Sequence, residues 1–296
     1  MNSASPPLCG VLNLHKPIGL TSRAALDRVA RPIRPVKAGH AGTLDPLASG
    51  VLVVLVGKAT RLIEHVQRMP KMYRTTIRLG ARSDTLDADG TIVETVDPPI
   101  PSLDAIHSAI LPQIGTIAQI PPQFSALKVG GKRAYDMARA GEEVALAARP
   151  VTIDRIDILG YDWPRLELEV SCGSGTYIRS IARDIGDSLG CGGLIEVLTR
   201  TRIGPFTVEE SIDPMSLTAE RIPSLLGPPL LAVGNMNRVV ISKTELERIV
   251  RGQSIPAGQP FGPSAEIALI GPDGELAALA RFAGDGRIAP EKVFHG

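Results

Sequence analysis

The sequence predicts an α+β protein with a small β-rich module at its C-terminal end. Three observations carry that prediction. Residues 51–56 are an uninterrupted apolar run, residues 72–79 and 166–171 alternate between apolar and polar, and Ile178, Ile181, Ile185 and Leu189 form a stripe at helical spacing. A short apolar run has the length of a strand buried on both faces. Alternation puts every second side chain on one face of a strand, and spacings of three and four gather apolar residues on one side of a helix.

Thr21 and Ser22 can cap a helix reaching about Ala30, with Ala25, Leu26 and Val29 on its apolar side and Pro32 past its end. A short basic stretch leads to a glycine-rich loop, residues 39–50, which feeds the apolar strand. Residues 59–69 read as helix. In the alternating strand, Tyr73, Thr75, Ile77 and Leu79 share one face, so Tyr73 points inward and Arg74 and Arg78 outward. Ser102 can cap a helix to Ile110, and residues 132–140 read as a short basic helix between Gly130, Gly131 and Gly141. Leu166, Leu168 and Val170 alternate with Glu167, Glu169 and Ser171, then run into Cys172-Gly-Ser-Gly-Thr-Tyr-Ile-Arg and the striped helix, which Gly190 ends. Residues 222–237 carry no charge and are rich in Pro and Gly, which marks a linker between residues 1–221 and a module at 238–296. That module offers a capped helix near 242–250 and strands around 267–270 and 276–282. It is too short for a generous core of its own, so it should dock on the main body.

With 296 residues, 44% apolar and 21% charged, the chain is neither disordered nor collagen-like, and only ten aromatic residues leave the core aliphatic. Its longest uncharged apolar stretch, residues 46–57, falls well short of the ~20 needed to cross a bilayer. Residues 1–14 lack the pattern of a secretory signal, so a cytoplasmic location is expected. Cys9, Cys172 and Cys191 are odd in number and unclustered, as expected of reduced structural thiols. The net charge of +1 hides an uneven distribution. Residues 1–82 hold 13 Lys or Arg against Asp27, Asp45 and Glu64, whereas residues 83–107 hold six carboxylates and no cation. A concentrated basic surface would attract a polyanion such as nucleic acid. The plain alternative is that these cations spread over solvated faces.

Several motifs fail on spacing. Gly57-Lys58-Ala59-Thr60 lacks the upstream glycine and the Ser or Thr of a phosphate loop. Residues 85–96 place Thr85 and Val96 where a calcium loop needs acidic ligands. His15, His40, His65, His107 and His295 show no metal-ligand spacing, so no metal site is expected.

In the glycine-rich loop, Asp45 stands among small and apolar neighbours, and Pro46 restricts its backbone to extended conformations. A carboxylate in such company needs a cation or hydrogen bonds to stay ionised. Otherwise it is an Asp closing a turn before proline. Arg179 is a candidate partner, one position off the buried stripe of its helix and in its first turn; the plain reading is a surface arginine. Tyr73 and Tyr177 each have cationic neighbours and could stack on a nucleobase, or Tyr73 could serve only as core.

These pieces together resemble a family, the bacterial TruB-type tRNA pseudouridine synthases. The matching stretches are Asn13-Leu14-His15-Lys16-Pro17-Ile18-Gly19-Leu20-Thr21-Ser22, residues 39–50, and Lys71-Met72-Tyr73-Arg74 through Asp84-Thr85-Leu86-Asp87-Ala88-Asp89-Gly90. Pro121-Pro122-Gln123-Phe124-Ser125-Ala126-Leu127-Lys128, Arg149-Pro150-Val151, Gly175-Thr176-Tyr177-Ile178-Arg179 and Gly190-Cys191-Gly192 follow in the family's order. The tail from Arg238 matches only loosely a PUA-like RNA-binding module.

The resemblance implies a mixed, largely antiparallel sheet with flanking helices. It implies conversion of the T-loop uridine at position 55 of tRNA to pseudouridine, without metal or organic cofactor. Asp45 matches the catalytic aspartate, which either attacks C1′ or takes a proton from the sugar. A single carboxylate is in view, where a glycosidase would need two. Tyr73 would stack on the base, Arg179 would pair with Asp45, and His40, Tyr177 and Leu198 would line the nucleotide pocket. Lys16, Arg74, Lys128 and Lys132 are the expected contacts to the RNA backbone, the last two in an insertion at about 124–143 that would close over the RNA. A synthase acting on another RNA, or a tRNA-folding chaperone in which Asp45 is incidental, are the alternatives. A monomer is the default expectation.

Overall fold

The computed structural model describes residues 8–124, 128–129, 132–133, 146–234, 236–263, 265–283 and 285–294. In chain order the main body forms β1 (Gly10–Lys16), α1 (Ser22–Ala30), β2 (Ala38–His40), β3 (Ser49–Val56), α2 (Ile63–Arg68) and β4 (Lys71–Leu79). A hairpin of β5 (Ala81–Ser83) and β6 (Ile92–Glu94) precedes α3 (Leu103–Ile110) and β7 (Gly115–Gln119). Then come β8 (Lys128–Val129), β9 (Lys132–Arg133), β10 (Arg149–Asp162), β11 (Arg165–Cys172), α4 (Ile178–Ser188), β12 (Gly193–Ile203) and β13 (Phe206–Thr207).

Among the described residues these strands build a nine-stranded sheet in the order β1-β3-β12-β4-β11-β10-β7, with β2 added to β3 and β13 to β12. The β3–β12 pairing is parallel and the others are antiparallel, which is the mixed, largely antiparallel sheet that the family resemblance implies. The apolar run in β3 is explained by its two covered faces. Leu52, Val54 and Val56 pack with Ala25, Leu26 and Val29 of α1, and Val51, Val53 and Leu55 pack with Ala59, Leu62 and Val66 on the other side. Thr21 caps α1 as predicted, its side chain accepting from the amide of Ala24 at 3.1 Å. On β4, β11 and β12 lie Ile178, Ile181 and Ile185 of α4 and Ile106 and Ile110 of α3. Close packing there requires Gly186, where a Cβ would stand 2.2 Å from the backbone of Gly192.

The C-terminal part adds α5 (Ile222–Leu225), β14 (Asn237–Val240), α6 (Lys243–Val250), β15 (Ile255–Pro256), β16 (Glu266–Ile270), β17 (Leu276–Phe282) and β18 (Arg287–Val293). Its five strands form a second sheet in the order β14-β16-β17-β18-β15. Ser242 and Glu245 form a capping box at the start of α6. This sheet docks through Ala268, Ile270, Leu276, Leu279 and Phe294, which share a core with Val11, Val51 and Leu62. Arg61 donates to the Val293 carbonyl at 3.0 Å and Lys292 donates to the Arg61 carbonyl at 3.0 Å, a reciprocal clasp beside that core.

Four sequence expectations are revised. The loop at 39–50 begins as a strand, because β2 pairs with β3 through residue 40. Lys132 and Arg133 are strand paired with Lys128 and Val129, not the start of a helix; residues 134–140 lie outside the described residues. The stretch at 222–237 contains α5 and a 3-10 turn, with Ile222, Ala232 and Val233 buried, so its lack of charge reflects packing. The charge asymmetry along the chain is partly cancelled in space. Arg68, Arg74, Arg78 and Arg82 pair with Glu266, Glu169, Glu94 and Asp187, since β4 and the β5 hairpin lie beside later parts of the chain. No helix among the described residues is long and apolar enough to cross a membrane.

Candidate active site

Asp45 lies in the turn between β2 and β3, and its backbone is pinned at every step. Arg200 of β12 donates from Nη2 to the Gly42 carbonyl at 3.1 Å and from Nη1 to the Thr43 carbonyl at 3.5 Å. The Ser22 hydroxyl donates to the Leu44 carbonyl at 3.0 Å and accepts from the Leu44 amide at 2.8 Å. The Asp45 carbonyl accepts from Ala48 N at 3.1 Å, and the Pro46 carbonyl accepts from Gly19 N at 2.8 Å and from Lys16 Nζ at 3.4 Å. Such a loop gives the carboxylate a fixed aim.

Arg179 meets that carboxylate. Its Nε lies 3.0 Å from Asp45 Oδ2, and its Nη1 lies 3.4 Å from Asp87 Oδ2. Nη1 and Nη2 also donate to the carbonyls of Thr85 and Phe124, at 2.8 and 2.9 Å. The guanidinium is 5% exposed while Asp45 is 39% exposed, so the pair presents the acid and hides the base. Asp87 is buried, its Oδ1 accepting from the Thr85 hydroxyl at 2.6 Å and from Asp89 N at 3.2 Å. Burial raises the Asp87 carboxyl above the usual carboxylate range, opposed by the Thr85 hydrogen bond and the Arg179 charge.

Two cavities flank the Asp45–Arg179 pair. The first, about 290 Å³, is lined by Asp45, Lys71, Tyr73, Tyr177, Leu198 and Arg200 with the turn at 174–176. The second, about 270 Å³, is lined by Asp45, Pro46, Thr85, Asp87, Asp89, Phe124 and Arg179. Tyr73 stands on the inward face of β4, buried, with its hydroxyl pKa raised by burial. Tyr177 precedes α4 and is gripped by Gln119, whose Oε1 accepts from the Tyr177 amide at 2.8 Å while Nε2 donates to its carbonyl at 3.2 Å.

Asp45, Tyr73, Tyr177, Arg179 and Leu198 are thus brought to one cavity, and other expectations are corrected. His40 sits on β2 and lines neither cavity; its pKa is lowered by burial. Lys16 is fully buried, its ammonium donating to the carbonyls of Pro17 and Leu20 at 2.9 and 2.7 Å, so it holds the loop from within and cannot meet an RNA phosphate. Arg74 leaves β4 from the face opposite Tyr73 and pairs with Glu169 at 3.0 Å. Lys128 and Lys132 lie in the β8–β9 pair, and most of the 124–143 insertion, with Gly130, Gly131 and Gly141, lies outside the described residues.

Sequence reading missed three site residues. Asp87 falls in a stretch that matches the family but carries no assigned role in the sequence reading. Lys71 is buried and lines the first cavity, a placement signalled by its sharing the inward phase of Tyr73 on one strand. Arg200 gave no signal, because the alternation of its strand is broken by bulges.

The N-terminal domain model of the TruB family pseudouridylate synthases matches residues 30–178, and that of the tRNA pseudouridylate synthase B C-terminal domain matches residues 179–222. A tRNA pseudouridine synthase B of Thermobifida fusca is 43% identical over 297 residues, covering 97% of this chain and 99% of the relative. One from Aromatoleum aromaticum is 40% identical over 287 residues, covering 96% and 92%. A chain in the crystal structure of a Cbf5-Nop10-Gar1 complex superposes with a TM-score of 0.75 at 26% identity, over 96% of this chain and 84% of that one.

Proposed function

The chain belongs to the TruB family of pseudouridylate synthases, and from that membership we infer that it is a tRNA pseudouridine-55 synthase, an isomerase of the T-loop uridine. The single observation that carries this to the level of residues is the exposed Asp45 carboxylate, held by a buried guanidinium at the mouth of a cavity sized for a small ligand.

The reaction breaks the bond between N1 and C1′, turns the uracil while it stays bound, and joins C5 to C1′. The proton on C5 is lost and N1 gains one, so the product is an isomer and needs no second substrate. Asp45 acts on the sugar, by attack at C1′ or by removing a sugar proton. Arg179 orients that carboxylate. Tyr73 lies against the base, and Leu198 and Tyr177 form the remaining wall. A base within a folded loop must be turned out to reach this cavity, at a cost of a few kcal/mol. Contacts to the RNA backbone are supplied by exposed cations of α1 and the segment that follows it, Arg28, Arg34 and Lys37. The reading is of a monomer acting on free tRNA in the cytoplasm.

The test uses an unmodified tRNA transcript, with pseudouridine mapped by carbodiimide probing. Wild-type protein should modify position 55, and Asp45→Asn should bind the tRNA within threefold of wild type yet turn over at least about 10³-fold more slowly. Wild-type protein that binds tRNA and modifies nothing would make the chain a binding module instead.

A further inference from the structure

We propose that Arg200 is a positioning residue for the isomerisation, fixing the spacing between the loop that carries Asp45 and the ring of Tyr73. The inference rests on the function proposed above.

Arg200 stands where three strands meet. It lies opposite Tyr73 in the antiparallel β4–β12 pairing and opposite Gly50 in the parallel β3–β12 pairing, next to a register shift between Arg200 and Arg202. The shift turns a long cation into the sheet interior, where the residue is 2% exposed. No carboxylate among the described residues forms an ion pair with it. Its guanidinium is satisfied by backbone, with Nε donating to the Val51 carbonyl at 2.9 Å and the Nη atoms to Gly42 and Thr43. A buried charge is costly unless hydrogen-bonded, and here the bonds run to three carbonyls in two segments of chain. Two of those carbonyls belong to the loop two and three residues before Asp45. Arg200 faces Tyr73 directly across the β4–β12 pairing, and both line the cavity they share with Asp45.

One planar fork therefore ties the acid's loop to the strand that follows it, directly across from the stacking ring. Lysine keeps the charge but not the fork, since a single ammonium cannot reach carbonyls set along a plane. A small misplacement of reacting groups lowers rate far more than affinity. The structural alternative, in which Arg200 only stabilises the sheet, would lower both through loss of folded protein.

The test is Arg200→Lys, alone and with Tyr73→Phe, in single-turnover assays on tRNA transcript beside wild type. The expected result is a folded variant with tRNA Kd within threefold of wild type and a rate constant lower by about tenfold or more. The lysine substitution should also cost less in the Tyr73→Phe background, because the two residues are cross-strand neighbours in one cavity. A rate within twofold of wild type, equal losses in rate and affinity, additive effects in the pair, or an Arg200→Lys chain that does not fold would each overturn the assignment. Inactive wild-type protein would instead count against the function on which the inference rests.

Discussion

Arg179 holds Asp87 at 3.4 Å with the same guanidinium that holds Asp45 at 3.0 Å. The two carboxylates differ in what surrounds them. Asp87 is closed in by Thr85, Asp89 and the arginine, whereas Asp45 opens on both cavities. Asp87 thus occupies the Nη1 side of the fork and leaves Nε to aim the acid that meets substrate. The lone carboxylate read from the sequence is in fact one of a pair bridged by one cation.

Asp87→Asn should therefore reduce the single-turnover rate by roughly 10²-fold with little change in tRNA affinity, because Arg179 loses its back anchor and Asp45 its aim. Parallel rate and Kd measurements check this. A rate equal to wild type would show that the Thr85 and Phe124 carbonyls hold Arg179 unaided.

Removing the exposed cations Arg34 and Lys37, which lie between α1 and β2, should weaken tRNA binding while leaving the rate at saturation near wild type. The slope of log affinity against log salt should fall by about one for each alanine substitution. Arg74→Ala should change neither quantity appreciably, since that side chain pairs with Glu169 on the far face of β4.

Gly50→Ala should destabilise the fold by more than about 2 kcal/mol. Gly50 has φ +101° and a Cβ there would stand 2.2 Å from the Arg200 carbonyl oxygen, so both backbone strain and a clash oppose the change. A denaturant midpoint close to wild type would mean that β3 and β12 can separate at no cost.

Burial, with the Arg200 charge adding to it, lowers the pKa of Lys71 to about 8. The unfolded chain holds that proton more tightly than the folded one, so the lysine's contribution to stability is complete above its unfolded value and is lost as pH falls through about 8. Wild type should consequently gain on Lys71→Met between pH 7 and pH 10 in paired thermal melts. A gap independent of pH would show that the ammonium is not desolvated in the folded protein.

Much of the site was legible from local signals. The loop around Asp45, the inward phase of Tyr73 and the helix start bearing Arg179 each follow from short-range pattern, because strand alternation and helix entry involve only a few neighbouring residues. The helix at 178–188, the caps at Thr21, Ser102 and Ser242, and the buried strand at 49–56 were readable for the same reason.

Other features were not local. Strands β10 and β12 were hidden because bulges between Ile153 and Arg155, Ile158 and Gly160, Ile195 and Val197, and Arg200 and Arg202 break the two-residue period on which strand reading depends. Charge counts along the chain could not show that Arg68, Arg74 and Arg82 meet acids far downstream, nor that Lys16 and Lys71 turn inward. By itself the sequence determined which side chains can act and which short segments present them. Tertiary structure decided which charges are neutralised and which acid stays open to a substrate, because burial and ion pairing depend on distances between segments that chain order does not set.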